Sequence, residues 1–426
     1  MDSSIVPSRR AVVSLLAAGL AGCTALRADP DPEPPGSTSY AWPSVNATPA
    51  NTRTVPDGTI RNPGSDSPIE YGVDAIDIAG SYARAPVVDD GKTVLVAPAE
   101  EDDACVVTCL DTGEEQGWPA VRWQRRLERE FPDGAPAIAD DRVVLTVSDE
   151  TGVSAGGDGL LAALSMADGE LEWSRPLERG SGFTPTVADG TVYLRTTNGI
   201  VAVDAATGEE EWSDALPTLE HPHQRHTHTE QLAPAVDSNR VYVPGEDELV
   251  VYDRDGDRQW NVSLAPPVGA PAVADGTVYC CAGGELRALE AADGSRRWTE
   301  SDVVSIAPAV AEDAVVVVGP RRGKAGGTVR ALEPETGTKT WDADVHFQGW
   351  GGFAPLIVGE TVVVNANRRM VGLATDTGAT RWETEKDDSR WHLAAADGRV
   401  YNYGDDSDGD SSRTYRLQVF GERGNS

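Results

Sequence analysis

Lysine is nearly absent from this sequence. Only four of its 36 basic residues are lysine, against 69 aspartates and glutamates, and the net charge is −33. No basic stripe is evident that would neutralise phosphates, which excludes nucleic acid as a partner. Dense surface carboxylate with little lysine keeps a protein hydrated in concentrated salt, where screening weakens self-repulsion. The composition therefore indicates a halophilic protein, with a cation-binding surface as the alternative.

The usual catalytic motifs are missing as well. The sequence contains no Gly-x-Ser-x-Gly, His-Glu-x-x-His, phosphate-binding loop or dinucleotide fingerprint. Beyond the first 23 residues, no segment is long and apolar enough to span a bilayer. The sequence thus favours a binding or scaffold protein over an enzyme, and it suggests no cofactor.

Residues 1–23 predict an export signal rather than folded structure. Arg9 and Arg10 precede an apolar run, 11–21, that is too short to cross a bilayer, and the run ends in Leu-Ala-Gly-Cys23. This resembles a twin-arginine signal joined to a bacterial-type lipobox. The resemblance implies that Cys23 becomes the lipidated first residue, so we expect lipid anchoring on the extracellular face of the cell membrane. An ordinary signal peptide that contains a cysteine is the alternative.

A repeated unit begins near residue 84. It reads Ala-Pro, an apolar run, Asp-Gly, a strand such as Val-Tyr-Leu, a second short strand, a Thr-Gly or Asp-Gly turn, and tryptophan. Successive tryptophans are separated by 50, 39, 48, 38, 43 and 41 residues. Such a period, with four short strands per unit, is typical of β-propeller blades. The tryptophans are Trp123, Trp173, Trp212, Trp260, Trp298, Trp341 and Trp382.

Glycine and tryptophan keep a fixed spacing in six of these units. The glycine lies four residues before the tryptophan, where a tight hairpin requires a positive φ. A large ring fills the wedge between neighbouring blades, and its indole N–H can donate to a turn carbonyl. One tryptophan per repeat therefore indicates core packing rather than an aromatic ligand site.

These motifs resemble the repeat family first described in pyrroloquinoline-quinone dehydrogenases. The family also includes the lipoprotein subunit of the bacterial outer-membrane assembly machine, and the resemblance covers residues 66–421. It implies an all-β propeller fold, but it does not decide activity, because the family contains enzymes and non-enzymes. A quinone dehydrogenase of this type also needs a calcium-binding side-chain set, a catalytic aspartate and an arginine, which the repeats do not supply at consistent positions.

The ends of the array predict how the ring closes. Seven units are complete, and an eighth, from Leu393 to Phe420, has three strands and no tryptophan. A strand near Tyr71 has no blade of its own, so we expect it to complete the last blade as its outermost strand. This gives an eight-bladed propeller of four-stranded antiparallel blades. A seven-bladed ring with a loose C-terminal sheet, or an open array, are the alternatives.

The predicted domains follow from this closure. A signal (1–23) is followed by a tether and lead-in (24–65), the propeller (66–421) and a short tail (422–426). The tether is rich in proline and aspartate, which stiffen and extend it. The lead-in, with Trp42-Pro43 and Asn51-Thr52, resembles a segment often found ahead of such propellers, and we expect it to pack against the ring surface.

The link after Trp212 is the longest and holds four of the six histidines in the chain. Their spacings of two, three and two residues permit several imidazoles on one metal ion, although no cysteine or carboxylate partner is evident. A transition-metal site and a solvated polar loop are both open. The four residues are His221, His223, His226 and His228.

Two further groups suggest chemistry. Asp406, Asp408 and Asp410 alternate around a glycine as calcium ligands do, but the glutamate of a full EF-hand loop is missing. Cys280 and Cys281 are adjacent on a predicted strand; in some quinone-dependent relatives adjacent cysteines lie under the cofactor. Neighbouring side chains on a strand point to opposite faces, which favours buried free thiols over a bridge.

Together these features predict a membrane-tethered propeller that binds a protein or cell-envelope partner through the loops of one rim. A quinone-dependent dehydrogenase and a metal- or polysaccharide-binding module are the alternatives. We expect a monomer that meets the membrane only through its lipid.

Overall fold

The structure is a computed structural model. It describes residues 44–60, 69–72, 84–99, 104–112, 120–129, 131–149, 159–177, 183–219, 232–266, 268–320, 327–345, 354–366, 369–385, 392–406 and 414–420. Within these ranges the chain forms strands, turns and short bends, and no helix long and apolar enough to cross a membrane is present.

Two short strands precede the regular blades, β1 (Thr54–Val55) and β2 (Ile69–Gly72). The first four blades then follow in chain order. Blade 1 holds β3 (Val87–Asp89), β4 (Lys92–Pro98), β5 (Cys105–Asp111) and β6 (Ala120–Leu127). Blade 2 holds β7 (Phe131–Pro132), β8 (Ala137–Ala139), β9 (Arg142–Ser148), β10 (Leu160–Ser165) and β11 (Leu171–Pro176). Blade 3 holds β12 (Thr186–Ala188), β13 (Thr191–Thr196), β14 (Gly199–Asp204) and β15 (Glu210–Ala215). Blade 4 holds β16 (Ala235–Val236), β17 (Arg240–Pro244), β18 (Glu248–Asp253) and β19 (Arg258–Ser263).

The other four blades repeat the same pattern. Blade 5 holds β20 (Ala272–Ala274), β21 (Thr277–Ala282), β22 (Glu285–Glu290) and β23 (Arg296–Ser301). Blade 6 holds β24 (Ala309–Val310), β25 (Val315–Pro320), β26 (Gly327–Leu332) and β27 (Lys339–Val345). Blade 7 holds β28 (Leu356–Val358), β29 (Thr361–Ala366), β30 (Arg369–Ala374) and β31 (Thr380–Glu385). Blade 8 holds β32 (His392–Ala396), β33 (Arg399–Asp406) and β34 (Thr414–Phe420), completed by β2.

Each blade is an antiparallel meander with its first strand near the ring axis. First strands contact one another in turn from blade 1 to blade 7, β3 also contacts β32 of blade 8, and their described residues are largely buried. The fourth strands β6, β11, β19, β23 and β27 are instead exposed at most positions. The middle strands are buried on both faces because neighbouring blades cover both sides of each sheet. This explains their continuous apolar runs, such as the buried Val315–Val318 in β25.

The closure predicted from the sequence is confirmed. β2 pairs antiparallel with β34, and Tyr71 lies opposite Leu417. Blade 8 also joins blade 1, where Arg399 Nη1 donates to the carbonyl of Thr112 at 2.9 Å. One apolar cluster includes side chains of blades 7, 8 and 1, such as Met370 and Leu95. The chain is therefore an eight-bladed ring.

The tryptophans perform the packing role that the repeat predicts. The indole N–H of Trp123 donates to the carbonyl of Met166 in blade 2 at 2.9 Å. Trp298 donates in the same way to Pro334 in blade 6 at 2.8 Å. The first six of the seven tryptophans also cover the turn glycine of the next blade, so the fixed glycine–tryptophan spacing reflects a contact between neighbouring blades.

Candidate functional site at the link rim and the ring axis

The blade-to-blade links and the loops between second and third strands lie on one side of the ring, here called the link rim. At this rim Arg195, near the end of β13, is fully buried. It donates to the carbonyls of Thr196, of Gly199 at 2.8 Å, and of Pro217 and Pro244 at 3.2 Å each. Burial lowers the pKa of Arg195 to about 10, because desolvation disfavours the charged guanidinium. The side chain thus ties blades 3 and 4 together.

The histidine-bearing link begins next to Arg195, which donates to the carbonyl of Pro217. Leu219, at its start, donates its N–H to the carbonyl of Thr197 at 3.0 Å. Leu219 also packs with Phe183 and with Leu232, where the link returns to the described chain. Both ends of the link are therefore buried in one apolar cluster. His221, His223, His226 and His228 lie outside the described residues, so their metal site stays a prediction.

A second buried ionisable group, Asp133, lies at the link between blades 1 and 2. Asp133 is 2% exposed; its Oδ1 accepts a 2.7 Å hydrogen bond from Ser148, and its Oδ2 has no partner. Desolvation raises the pKa of Asp133 to about 7, although Ser148 and the nearby Arg84 act in the opposite direction. Arg84 itself donates to the carbonyl of Pro132 at 2.9 and 2.7 Å. Ordinary aspartates lose their proton near pH 4, so the carboxyl of Asp133 stays protonated to a higher pH than theirs.

Sequence reasoning missed both of these residues, although a signal for one was present. Arg195 takes the strand position that Cys281 takes in blade 5 and that Val318 takes in blade 6. A charged side chain at a repeat position that is uncharged in the other blades marks a departure that the alignment of repeats can reveal. Asp133 gave no comparable warning, because the links vary in sequence.

The remaining predicted groups take different places. Asp406 ends β33, and Asp408 and Asp410 lie outside the described residues, so the calcium site also stays a prediction. Cys280 and Cys281 are free, buried thiols of β21, as the sequence predicted. Cys280 packs into the cluster between blades 4 and 5, and Cys281 into the one between blades 5 and 6. Burial raises the pKa of Cys280 to about 12.

Within the predicted lead-in, residues 44–60 are described, and residues 49–55 pack against the axial side of the inner strands; Trp42 and Pro43 lie outside the described residues. Residues 49–53 cross the inner strands of blades 4 to 7. Four of their carbonyls each accept a hydrogen bond from the N–H of one blade, and the donor is always the second residue after the repeat proline. The bonds join Pro49 to Val236, Ala50 to Val273, Thr52 to Val310 and Arg53 to Ile357, at 2.8, 2.8, 2.8 and 3.0 Å. First strands have no neighbouring strand on the axial side, so their N–H groups need another acceptor.

Side chains of the lead-in reinforce this placement. Asn51 Nδ2 donates to the carbonyls of Ala233 and Pro234 at 3.1 and 3.0 Å. Arg53 Nε donates to the carbonyl of Pro355 at 2.8 Å, and the chain then continues as β1, parallel to β28. We call residues 49–55 the axial strap. It joins the inner edges of blades 4 to 7.

The described residues do not fit a quinone cofactor. Cys280 and Cys281 are buried in apolar clusters at two different blade interfaces, so no cofactor can lie against both. Within the part of the chain that the structure describes, no three histidines, cysteines or carboxylates are grouped to hold a metal ion. The axial faces of four inner strands are already bonded to the strap.

This fold and this rim define a class of protein, the eight-bladed propeller of pyrroloquinoline-quinone-like repeats. A family model described as outer membrane protein assembly factor BamB matches residues 106–245, 197–345 and 325–416. The chain belongs to this family.

Sequence identity to individual relatives is low. The chain is 28% identical over 287 residues to the outer membrane protein assembly factor BamB of Yersinia pestis; the match covers 60% of this chain and 65% of that protein, just under two thirds of its length. The crystal structure of BamB from Moraxella catarrhalis has a TM-score of 0.58 at 18% identity, covering 84% of this chain and 98% of that one. The quinohemoprotein alcohol dehydrogenase of Comamonas testosteroni has a TM-score of 0.63 at 16% identity, covering 90% and 81%. At these identities the two structures show a shared fold alone.

Proposed function

We propose that this chain is a non-catalytic binding or scaffold propeller that holds a protein or cell-envelope partner on its link rim. The observation that carries the proposal is the support beneath the link between blades 3 and 4. A fully buried arginine and an apolar cluster fix both ends of that link. A rigid base under a long link is how propellers and other scaffolds present a binding surface.

Family membership supports the same function. The name of the matching family refers to the assembly of outer membrane proteins, which is work done through protein partners. The acidic composition indicates a halophilic cell, so the partner here need not belong to an outer membrane. The shared element is the propeller as a platform for another macromolecule.

The proposal includes export and anchoring. The twin-arginine pair and the lipobox ending in Cys23 would place the ring on the extracellular face of the membrane, attached by lipid. A Cys23→Ser variant should then be found in the medium rather than with the membrane, while the mature wild-type protein carries a lipid mass at its N-terminus. Equal membrane association of both proteins would contradict the anchor.

The binding surface is tested by shortening loops on opposite sides of the ring. In one variant a short Gly-Ser linker replaces residues 221–230 of the link between blades 3 and 4. In the matched control, the same linker replaces residues 113–119, which join β5 to β6 on the other rim. Tagged proteins are cross-linked in intact cells at high salt, and captured partners are quantified by mass spectrometry.

We expect partners to be lost with the link variant and retained with the control. Equal recovery by both variants and the wild type would exclude this link as the binding surface. Equal loss in both would indicate damage to the ring, which thermal unfolding of each variant detects.

A further inference from the structure

The outer strand of blade 1, β6, is positively charged, whereas the molecule as a whole is strongly negative. β6 carries Arg122, Arg125 and Arg126 and no acidic residue, in a chain of net charge −33. All three arginines are exposed, and Arg129 follows two residues after the strand. The strongly negative charge of the whole chain conceals this basic strand of eight residues.

No other outer strand resembles it. The remaining seven carry at most two basic residues each, and six of them hold at least one carboxylate. β15, two blades away, has the opposite character, with Glu210, Glu211 and Asp214. β6 is also the longest outer strand, at eight residues.

The backbone of β6 offers a free edge. It pairs with β5 on one side, and no described strand pairs with its other side. Such an edge presents a row of N–H and C=O groups to which an extended chain can add as a further strand. Val121, 45% exposed, is one of three large apolar side chains exposed in the described residues.

Alternation along the strand sorts its side chains. Trp123 and Leu127 face blade 2 and are buried there, and alternation places Arg125 on that face and Arg126 on the opposite one. Arg122 lies at a β-bulge, where the register between β5 and β6 shifts. Arg122 pairs with Asp111 at 3.5 Å, and Arg129 with Asp149 at 3.0 Å, with all four side chains partly exposed. Exposed pairs of this kind contribute about 0–1 kcal/mol, so a partner's carboxylates can replace them.

We propose that β6 is a docking edge for an extended, acidic polypeptide segment of a partner protein, which adds to blade 1 as a fifth strand. Charge complementarity selects the acidic partner, and the free backbone edge selects a polypeptide over lipid or nucleic acid. The surface lies on the outer circumference of the ring, apart from the link rim. The inference therefore does not depend on the function proposed for that rim.

The probe is a fluorescent ten-residue peptide of alternating glutamate and valine, titrated against the full chain by anisotropy. A second peptide has the same sequence with every backbone nitrogen methylated, which removes the N–H donors from both edges, so that strand pairing is blocked but the charge is kept. The variant is Arg125→Glu with Arg126→Glu. The matched control is Arg296→Glu, an exposed arginine on the outer strand of blade 5.

We expect the double variant and the methylated peptide each to weaken binding at least tenfold, and Arg296→Glu to leave it unchanged. Affinity should fall as salt rises, because the Debye length shrinks to about 3 Å at 1 M. The variant shortened at 221–230 should bind the peptide as the wild type does. Circular dichroism and urea midpoints confirm that each variant is folded.

Three results would overturn the inference. Equal binding of the methylated peptide would show that the peptide binds through charge alone and not through strand pairing. Binding of anionic-lipid vesicles or of single-stranded DNA in preference to the peptide would assign a different macromolecule. Finally, self-association of an Arg125→Gln, Arg126→Gln variant, with no peptide binding by the wild type, would show that the arginines serve only to keep the edge unpaired.

Discussion

The ring of Trp173 in blade 2 lies so close to Gly208 in blade 3 that a Cβ on the glycine would be 2.6 Å from the indole Cε3. The indole N–H completes the contact by donating to the carbonyl of Ala205 at 3.0 Å. The glycine therefore has two reasons to be there, its φ of +72° and the ring that covers it. The same pair joins most neighbouring blades, which makes it the repeating fastener of the ring.

A comparison of Gly276 with Gly208 separates the cost of a positive φ from the cost of crowding the tryptophan ring. Gly276 has the same φ of +72° as Gly208, but a Cβ there would meet nothing within 4 Å. Gly276→Ala should therefore lower the free energy of unfolding by about 1 kcal/mol through backbone strain alone. Gly208→Ala should cost roughly 2–5 kcal/mol, since overpacking adds to the strain. Urea unfolding measures both, and equal costs would contradict the packing role of the glycine.

The axial strap should stabilise blades 4 to 7. Asn51→Asp keeps the side-chain shape but removes the amide donor to the carbonyls of Ala233 and Pro234. We expect a loss of roughly 2–4 kcal/mol, because a buried carboxylate then faces two carbonyl oxygens. Asn239→Asp, in an exposed turn, is the control and should change little. Thermal unfolding at constant salt checks the difference; equal melting temperatures would mean that the strap is not bound in solution.

Asp133 should make stability depend on pH in an unusual direction. Its pKa is raised in the folded protein to about 7, so the protonated form is favoured there. The stability it contributes is fully present below the unfolded pKa of about 3.9 and is lost as pH rises towards about 7. Asp133→Asn removes this loss, so the free energy of unfolding of the variant should rise relative to that of the wild type by an amount on the order of 4 kcal/mol between about pH 4 and pH 7.

The measurement is the difference in unfolding free energy between variant and wild type across that pH range, which cancels the other titrating groups. Asp140→Asn, at an exposed turn residue nearby, is the control for the same substitution outside the buried site. A constant difference for Asp133→Asn would show that its carboxyl is ionised in the folded protein.

The four propeller thiols should be inert in the native state. Cys105, Cys109, Cys280 and Cys281 are buried thiols, and burial raises the pKa of Cys109 to about 11. In a Cys23→Ser variant at about pH 8, iodoacetamide should label none of them before unfolding and all four afterwards, because only an accessible thiolate reacts. Rapid native labelling, or four thiols that stay unreactive after unfolding without reductant, would contradict this arrangement.

The sequence by itself determined the blade, the count and the closure. Ala-Pro, Asp-Gly and the glycine–tryptophan spacing are short-range signals that recur, so each repeat supports the interpretation of the next. Even the pairing of Tyr71 with Leu417, nearly 350 residues apart, followed from a strand that lacked a blade at one end and a blade that lacked a strand at the other.

Only the tertiary structure decided the rest. That Asn51 and Arg53 lie among the inner strands depends on unpaired N–H groups that exist only once the ring has formed. Burial of Arg195 and Asp133 likewise comes from blades that meet across the links. The arginines of β6 become a surface only when the sheet gives that strand an open edge. Local pattern specifies the repeating unit, whereas burial, pairing and exposed charge arise from how the units are assembled.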